Sequence, residues 1–102
     1  MRFKTLKDTG IIKKDRNGSR DQEIIWKTSE DKKFRVLIHC ESYDFQSYGK
    51  LYAWNENNNE WNIISSCQPQ RDYKIDIAYS NRYPHTAFDP IIKDFKKLAK
   101  EF

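Results

Sequence analysis

The chain has 102 residues, with 19 Lys and Arg against 15 Asp and Glu (net charge +4), and is 37% hydrophobic and 15% aromatic. That suits one compact domain and excludes a large internal catalytic cavity. The longest apolar runs, Ile24-Ile25-Trp26 and Val36-Leu37-Ile38, exclude a membrane-spanning helix, and the charged start Met1–Asp8 is no secretory signal, so a cytoplasmic setting with reduced thiols is expected.

In chain order, Asn17-Gly18 predicts the first hairpin, because both residues tolerate the positive φ of a two-residue type I′ turn. That closure puts Asp15 opposite Arg20 and Lys14 opposite Asp21, two pairs of opposite charge. Ile24, Trp26 and Thr28 then share one face. After the polar stretch 29–32, Phe34, Val36, Ile38 and Cys40 alternate in the same sense, a second hairpin. Residues 47–55 and 60–67 close a third around Glu56-Asn57-Asn58-Asn59, with Trp54 opposite Trp61, Tyr52 opposite Ile63 and Leu51 opposite Ile64. Tyr73, Ile75, Ile77 and Tyr79 alternate with polar or small residues and predict a further strand between Pro69 and Pro84.

The carboxyl end reads as a helix. Asp89 is the expected N-cap, Pro90 occupies the first helical position, and Ile91, Ile92, Phe95, Leu98, Ala99 and Phe102 recur at helical spacing. From Pro90 to Phe102 it would run about 20 Å, enough to cover one face of a small sheet. The expectation is a single α+β domain over residues 1–102, an antiparallel meander of about five strands with the terminal helix packed on one face.

Catalytic and metal motifs are absent from the spacing. His39 and Cys40 are neighbours on a predicted strand, so their side chains point to opposite faces and form no dyad. His85 is the other imidazole, and no HxxxH, HExxH or CxxC spacing supports a metal or cofactor. Cys40 reads as a core residue and, with Cys67, as a reduced thiol. Asp15–Ser19 lacks the glycine and glutamate positions of a calcium loop, and the Asn-rich tip flanked by Glu56 and Glu60 reads as a solvated turn.

The informative residues are aromatic and basic. Residues 34–70 carry a net charge of −2 and hold seven of the fifteen aromatics, whereas residues 1–33 and 71–102 carry +4 and +2. Stacking and phosphate-attracting residues thus lie mostly in different segments. Tyr43, Phe45 and Tyr48 fall in a connection that ought to be polar; they either plug one end of the core or, with Trp54 and Trp61, form a contact patch for a partner. Lys13, Lys14, Arg16 and Arg20 around the first hairpin, with Lys93 and Lys97 on the helix, make the alternative, a nucleic-acid site; as a solvated hairpin end and helix face they need no function. A four-stranded sheet followed by a helix is also the layout of known single-strand binders, an analogy of fold alone.

Ser42-Tyr43-Asp44-Phe45-Gln46-Ser47-Tyr48, with Trp54 and Glu60-Trp61-Asn62, resembles short proteins encoded by phages and mobile elements. The resemblance implies a setting in which small proteins act by binding, including as inhibitors of host defence. The expected function is accordingly non-enzymatic: an inhibitor or adaptor acting on a host protein or nucleoprotein, with direct nucleic-acid binding as the alternative. An open sheet would also leave edge strands through which copies of the chain can pair.

Overall fold

The computed structural model describes residues 2–13, 19–41, 46–75 and 86–102. It is an α+β fold with β1 (Phe3–Asp8), β2 (Ile12–Lys13), β3 (Arg20–Thr28), β4 (Lys33–Cys40), β5 (Tyr48–Asn55), β6 (Glu60–Cys67), α1 (Pro69–Tyr73) and α2 (Asp89–Glu101). The sheet order is β1-β3-β4-β5-β6, with β2 also on β3 and every pairing antiparallel. From β3 to β6 it is the expected meander.

β1 and β2 line the same edge of β3 and act as one strand broken at Gly10. That residue takes φ +66, the left-handed region open to glycine, and its N–H donates to Asp8 Oδ1 at 2.9 Å. The break turns Ile11 against the core and leaves Ile12 exposed. It also sets the first hairpin's register. Thr9 N–H donates to the Glu23 carbonyl, Glu23 N–H donates to Thr9 Oγ1, and Lys13 then pairs with Arg20 and Ile12 with Asp21. The expected pairing, Asp15 with Arg20 and Lys14 with Asp21, is therefore displaced by two residues. Asn17 and Gly18 themselves lie outside the described residues.

The second hairpin forms as its alternation predicts, with Trp26 opposite Phe34 and Ile24 opposite Val36. Thr28 closes it: its Oγ1 accepts from the N–H groups of Glu30 and Lys32, each at 3.2 Å, and Asp31 takes φ 63. The third hairpin keeps Trp54 opposite Trp61 and Tyr52 opposite Ile63. A bulge at Ile64 then places Ser65, not Ile64, opposite Leu51.

Two local expectations are corrected. Tyr73 ends a short helix rather than starting a strand. Pro69 opens that helix, Gln68 caps it by accepting from Arg71 N–H at 2.8 Å, and Lys74, in the left-handed region at φ 55, closes it. The apolar positions of the supposed strand still serve packing, since Ile75 is buried and Tyr73 OH donates to Asp94 on α2 at 2.5 Å. Ile77 and Tyr79 lie outside the described residues. In α2 the N-cap is Phe88, with no side-chain cap, and Asp89 is already helical; the fully buried Phe88 ring holds the chain at that point.

The core lies between α2 and one sheet face. Ile91, Phe95 and Ala99 of α2 are buried with Ile24, Trp26, Phe34, Val36, Ile38, Cys40 and Leu51. At roughly 1.5–3 kcal/mol per fully buried large side chain, this face supplies most of the driving force for folding. Cys40 is fully buried and His39 is on the opposite face, and both cysteines are free. Among the described residues no helix is long and apolar enough to cross a membrane.

Candidate functional site

Strand alternation sends every second side chain of the sheet away from α2. The strand register assembles that second face as follows. Asp21, His39 and Tyr48 lie abreast on β3, β4 and β5, and Glu23, Leu37 and Lys50 form the next row. Lys7, Ile25, Arg35, Tyr52 and Ile63 span β1 to β6, and Lys4, Lys27 and Lys33 lie abreast beyond them. The Trp54–Trp61 pair completes the face towards the tip of the third hairpin. Among the described residues, no helix or strand lies over this face.

Its aromatic part comprises Tyr48, Tyr52 and Trp54 along β5, with Trp61 beside Trp54. All four rings are half-buried by their neighbours in the sheet, and none belongs to the core cluster. Trp54 and Trp61 meet edge to face with centroids 5.2 Å apart, the geometry that ring quadrupoles favour. Tyr48 stacks on His39 at 5.4 Å, and the Lys50 ammonium sits 4.6 Å from the Tyr48 centroid.

The charged part is predominantly basic. Lys4, Lys7, Lys27, Lys33, Arg35 and Lys50 face Asp21, Glu23 and, at the end of β4, Glu41. Glu23 serves two cations: Lys7 Nζ contacts Oε1, and Arg35 donates to Oε2 from Nε at 2.6 Å and from a second guanidinium nitrogen. The Lys7 hydrogen bond, opposed by burial and aided by Arg35, holds the Glu23 carboxyl below its ordinary range. Lys27 reaches Asp31 at 3.4 Å in solvent. Lys4 and Lys33 form no ion pair among the described residues.

His39 has a carboxylate on each ring nitrogen, with Nδ1 against Asp21 Oδ1 and Nε2 2.8 Å from Glu41 Oε2. Ionised carboxylates only accept, so both nitrogens can donate only when the imidazole is protonated. Burial opposes that charge, but the hydrogen bonds and charges of Asp21 and Glu41 outweigh it and raise the His39 pKa above its ordinary value. Glu41 is itself anchored: its N–H donates to Ser47 Oγ at 3.0 Å and its carbonyl accepts from Gln70 Nε2.

Of the residues singled out for a partner, Tyr48, Trp54 and Trp61 come together on this face, while Tyr43 and Phe45 lie outside the described residues. The residues of the alternative site are not assembled in this way. Arg20 is 3% exposed and turned to the α2 side of the sheet, Lys13 pairs opposite it on the edge, and Lys93 and Lys97 are exposed on α2. Lys14, Arg16 and His85 lie outside the described residues. Sequence reasoning missed Tyr52, Lys4, Lys27, Lys33, Arg35 and Lys50. Their signal was present as the off-core half of each alternating strand, and strand order is what makes them neighbours. Compared with known proteins, the chain matches no family model, no curated protein and no solved structure.

Proposed function

We propose that the chain is a small non-catalytic binding protein whose contact surface is the sheet face opposite α2. Through the phage and mobile-element resemblance of residues 42–48, we read its role as an inhibitor or adaptor acting on a host protein or nucleoprotein. The observation that carries the reading is the placement of Tyr48, Tyr52, Trp54 and Trp61 together, outside the core, on a face with no described helix or strand over it. Aromatic side chains presented this way offer large contact area with few rotors to freeze, and are the residues that dominate binding energies. The chemistry on both sides of the sheet favours binding over catalysis. On this face His39 spends both nitrogens on carboxylates, and on the α2 side the Cys67 thiol is pushed up by burial to about 11, which suppresses its thiolate.

Affinity capture from the native host tests the reading, with mass spectrometry and nucleic-acid detection on one eluate. Tyr52→Ala/Trp61→Ala is expected to lose at least about tenfold of the captured partner while circular dichroism stays native. Undiminished capture by that variant overturns the assignment of the face.

A further inference from the structure

We infer that the partner this face recognises directly is single-stranded nucleic acid, its bases on the Tyr52 and Trp54–Trp61 rings and its phosphates over Lys4, Lys27, Lys33 and Lys50. The inference rests on the contact surface proposed above and names the chemistry of its ligand.

Three observations carry it. The first is the row Lys4–Lys27–Lys33, three lysines at paired positions on adjacent strands, of which, among the described residues, only Lys27 has a carboxylate in reach, Asp31. Like charges directly opposite destabilise a sheet, and a chain of phosphates removes that cost by lying along the row. The second is the joining of charge to rings: Lys50 lies between Tyr48 and Tyr52 in the outward alternation of β5, and Arg35 is opposite Tyr52. A groove for single strands needs both properties on one surface. Lys50 and Arg35 come from the same stretch as the rings, and the fold adds Lys4, Lys27 and Lys33 from the amino-terminal third.

The third concerns shape. Rings two residues apart on a strand stand about 7 Å apart, and adjacent strands are separated by about 4.8 Å, so the platform is broad and shallow. A duplex keeps its base faces stacked internally, and no described element projects from this face to enter a groove. An unpaired strand exposes base faces to the rings and phosphates to the lysines at once.

Fluorescence anisotropy with labelled mixed-sequence oligonucleotides of about 12 nucleotides, as DNA and RNA single strands and as duplex, tests the inference. Single strands are expected to bind at least about tenfold tighter than duplex, and the affinity to fall with salt at a log–log slope of about −0.7 per phosphate neutralised. Tyr52→Ala and Trp54→Ala each lose roughly 5- to 100-fold. Lys4→Glu/Lys33→Glu alters two exposed side chains with no described ion pair, so it keeps the fold, weakens binding at least about tenfold and flattens the salt slope.

Lys93→Glu/Lys97→Glu, on the helix, is the control and leaves affinity within about threefold. No binding at low salt, equal affinity for duplex, or an equal loss from the helix pair each overturns the inference. Should oligonucleotides fail while host capture still depends on Tyr52 and Trp61, the partner is a protein; the contact surface then stands and this inference falls.

Discussion

A Cβ on Gly49 would lie 2.7 Å from Cys67 Sγ and 3.4 Å from Ile91 Cγ2, so at Gly49 the side chains of β6 and α2 close directly onto the β5 backbone. Gly49 pairs with Cys67 in the sheet, and the missing side chain lets Ile91 and Phe95 settle onto β5. Gly49→Ala is expected to destabilise the domain by about 1–3 kcal/mol through overpacking, measured by urea unfolding. Cys67→Ala in the same background should recover part of that loss, because it removes the nearer obstacle; simple additivity of the two changes would contradict the contact.

Stability should fall towards alkaline pH through His39. Its pKa in the folded protein is raised, so its charged contacts with Asp21 and Glu41 are complete below the ordinary histidine value near 6.5 and are lost as pH climbs through the higher folded value. The Tm advantage of the native chain over His39→Gln should therefore shrink between about pH 6 and pH 9. An advantage that grows over that range reverses the sign.

Glu23 contributes in the opposite pH range. Its lowered pKa means that its stabilisation holds above the ordinary carboxylate value and is lost as pH falls through the folded one. Glu23→Gln should cost about 1–2 kcal/mol at neutral pH, read from denaturant midpoints, because Lys7 and Arg35 lose a shared ionised acceptor. The cost should narrow in acid.

Both thiols should be inert in the native state. Cys40 is fully buried, and burial pushes Cys67 to about 11. At neutral pH an aromatic disulfide reagent should react at least about a hundredfold more slowly than in denaturant. A fast phase from one thiol in native buffer would contradict this.

Lys74 closes α1 at φ 55, a conformation that favours glycine. Lys74→Gly should stabilise the protein by roughly 0.5–1 kcal/mol in thermal unfolding. A strand at this position would lose stability on the same change.

The parts of the fold governed by local pattern were legible in the sequence. Alternation from Ile24 to Cys40 named the core face of β3 and β4, and closure around the Asn-rich tip gave Trp54–Trp61 and Tyr52–Ile63. Departures arise where one residue resets the count. The bulge at Ile64 moves Ser65 opposite Leu51, and the Gly10 kink, with the Thr9–Glu23 bonds, moves the pairing of Arg20 and Asp21. β1 carries no alternation that marks it as a strand, because only Phe3 of its side chains packs on the core. Tyr48, Trp54 and Trp61 stand out by their chemistry, and the strand register sets all three on the face opposite α2. The lysine row needs strand order, since Lys4 is distant in sequence from the hairpin pair Lys27 and Lys33 and each alone reads as an ordinary solvated residue.

The three tryptophans form two optical populations. Trp26 is 2% exposed, tilted against Phe3 and capped by Lys96, whereas Trp54 and Trp61 share the outer face as an edge-to-face pair. Acrylamide quenching therefore separates a shielded indole that reports melting of the interior from an electronically coupled couple outside it. The near-ultraviolet dichroism of that couple would change if a ligand settled on it, which would give the proposed contact surface a label-free readout.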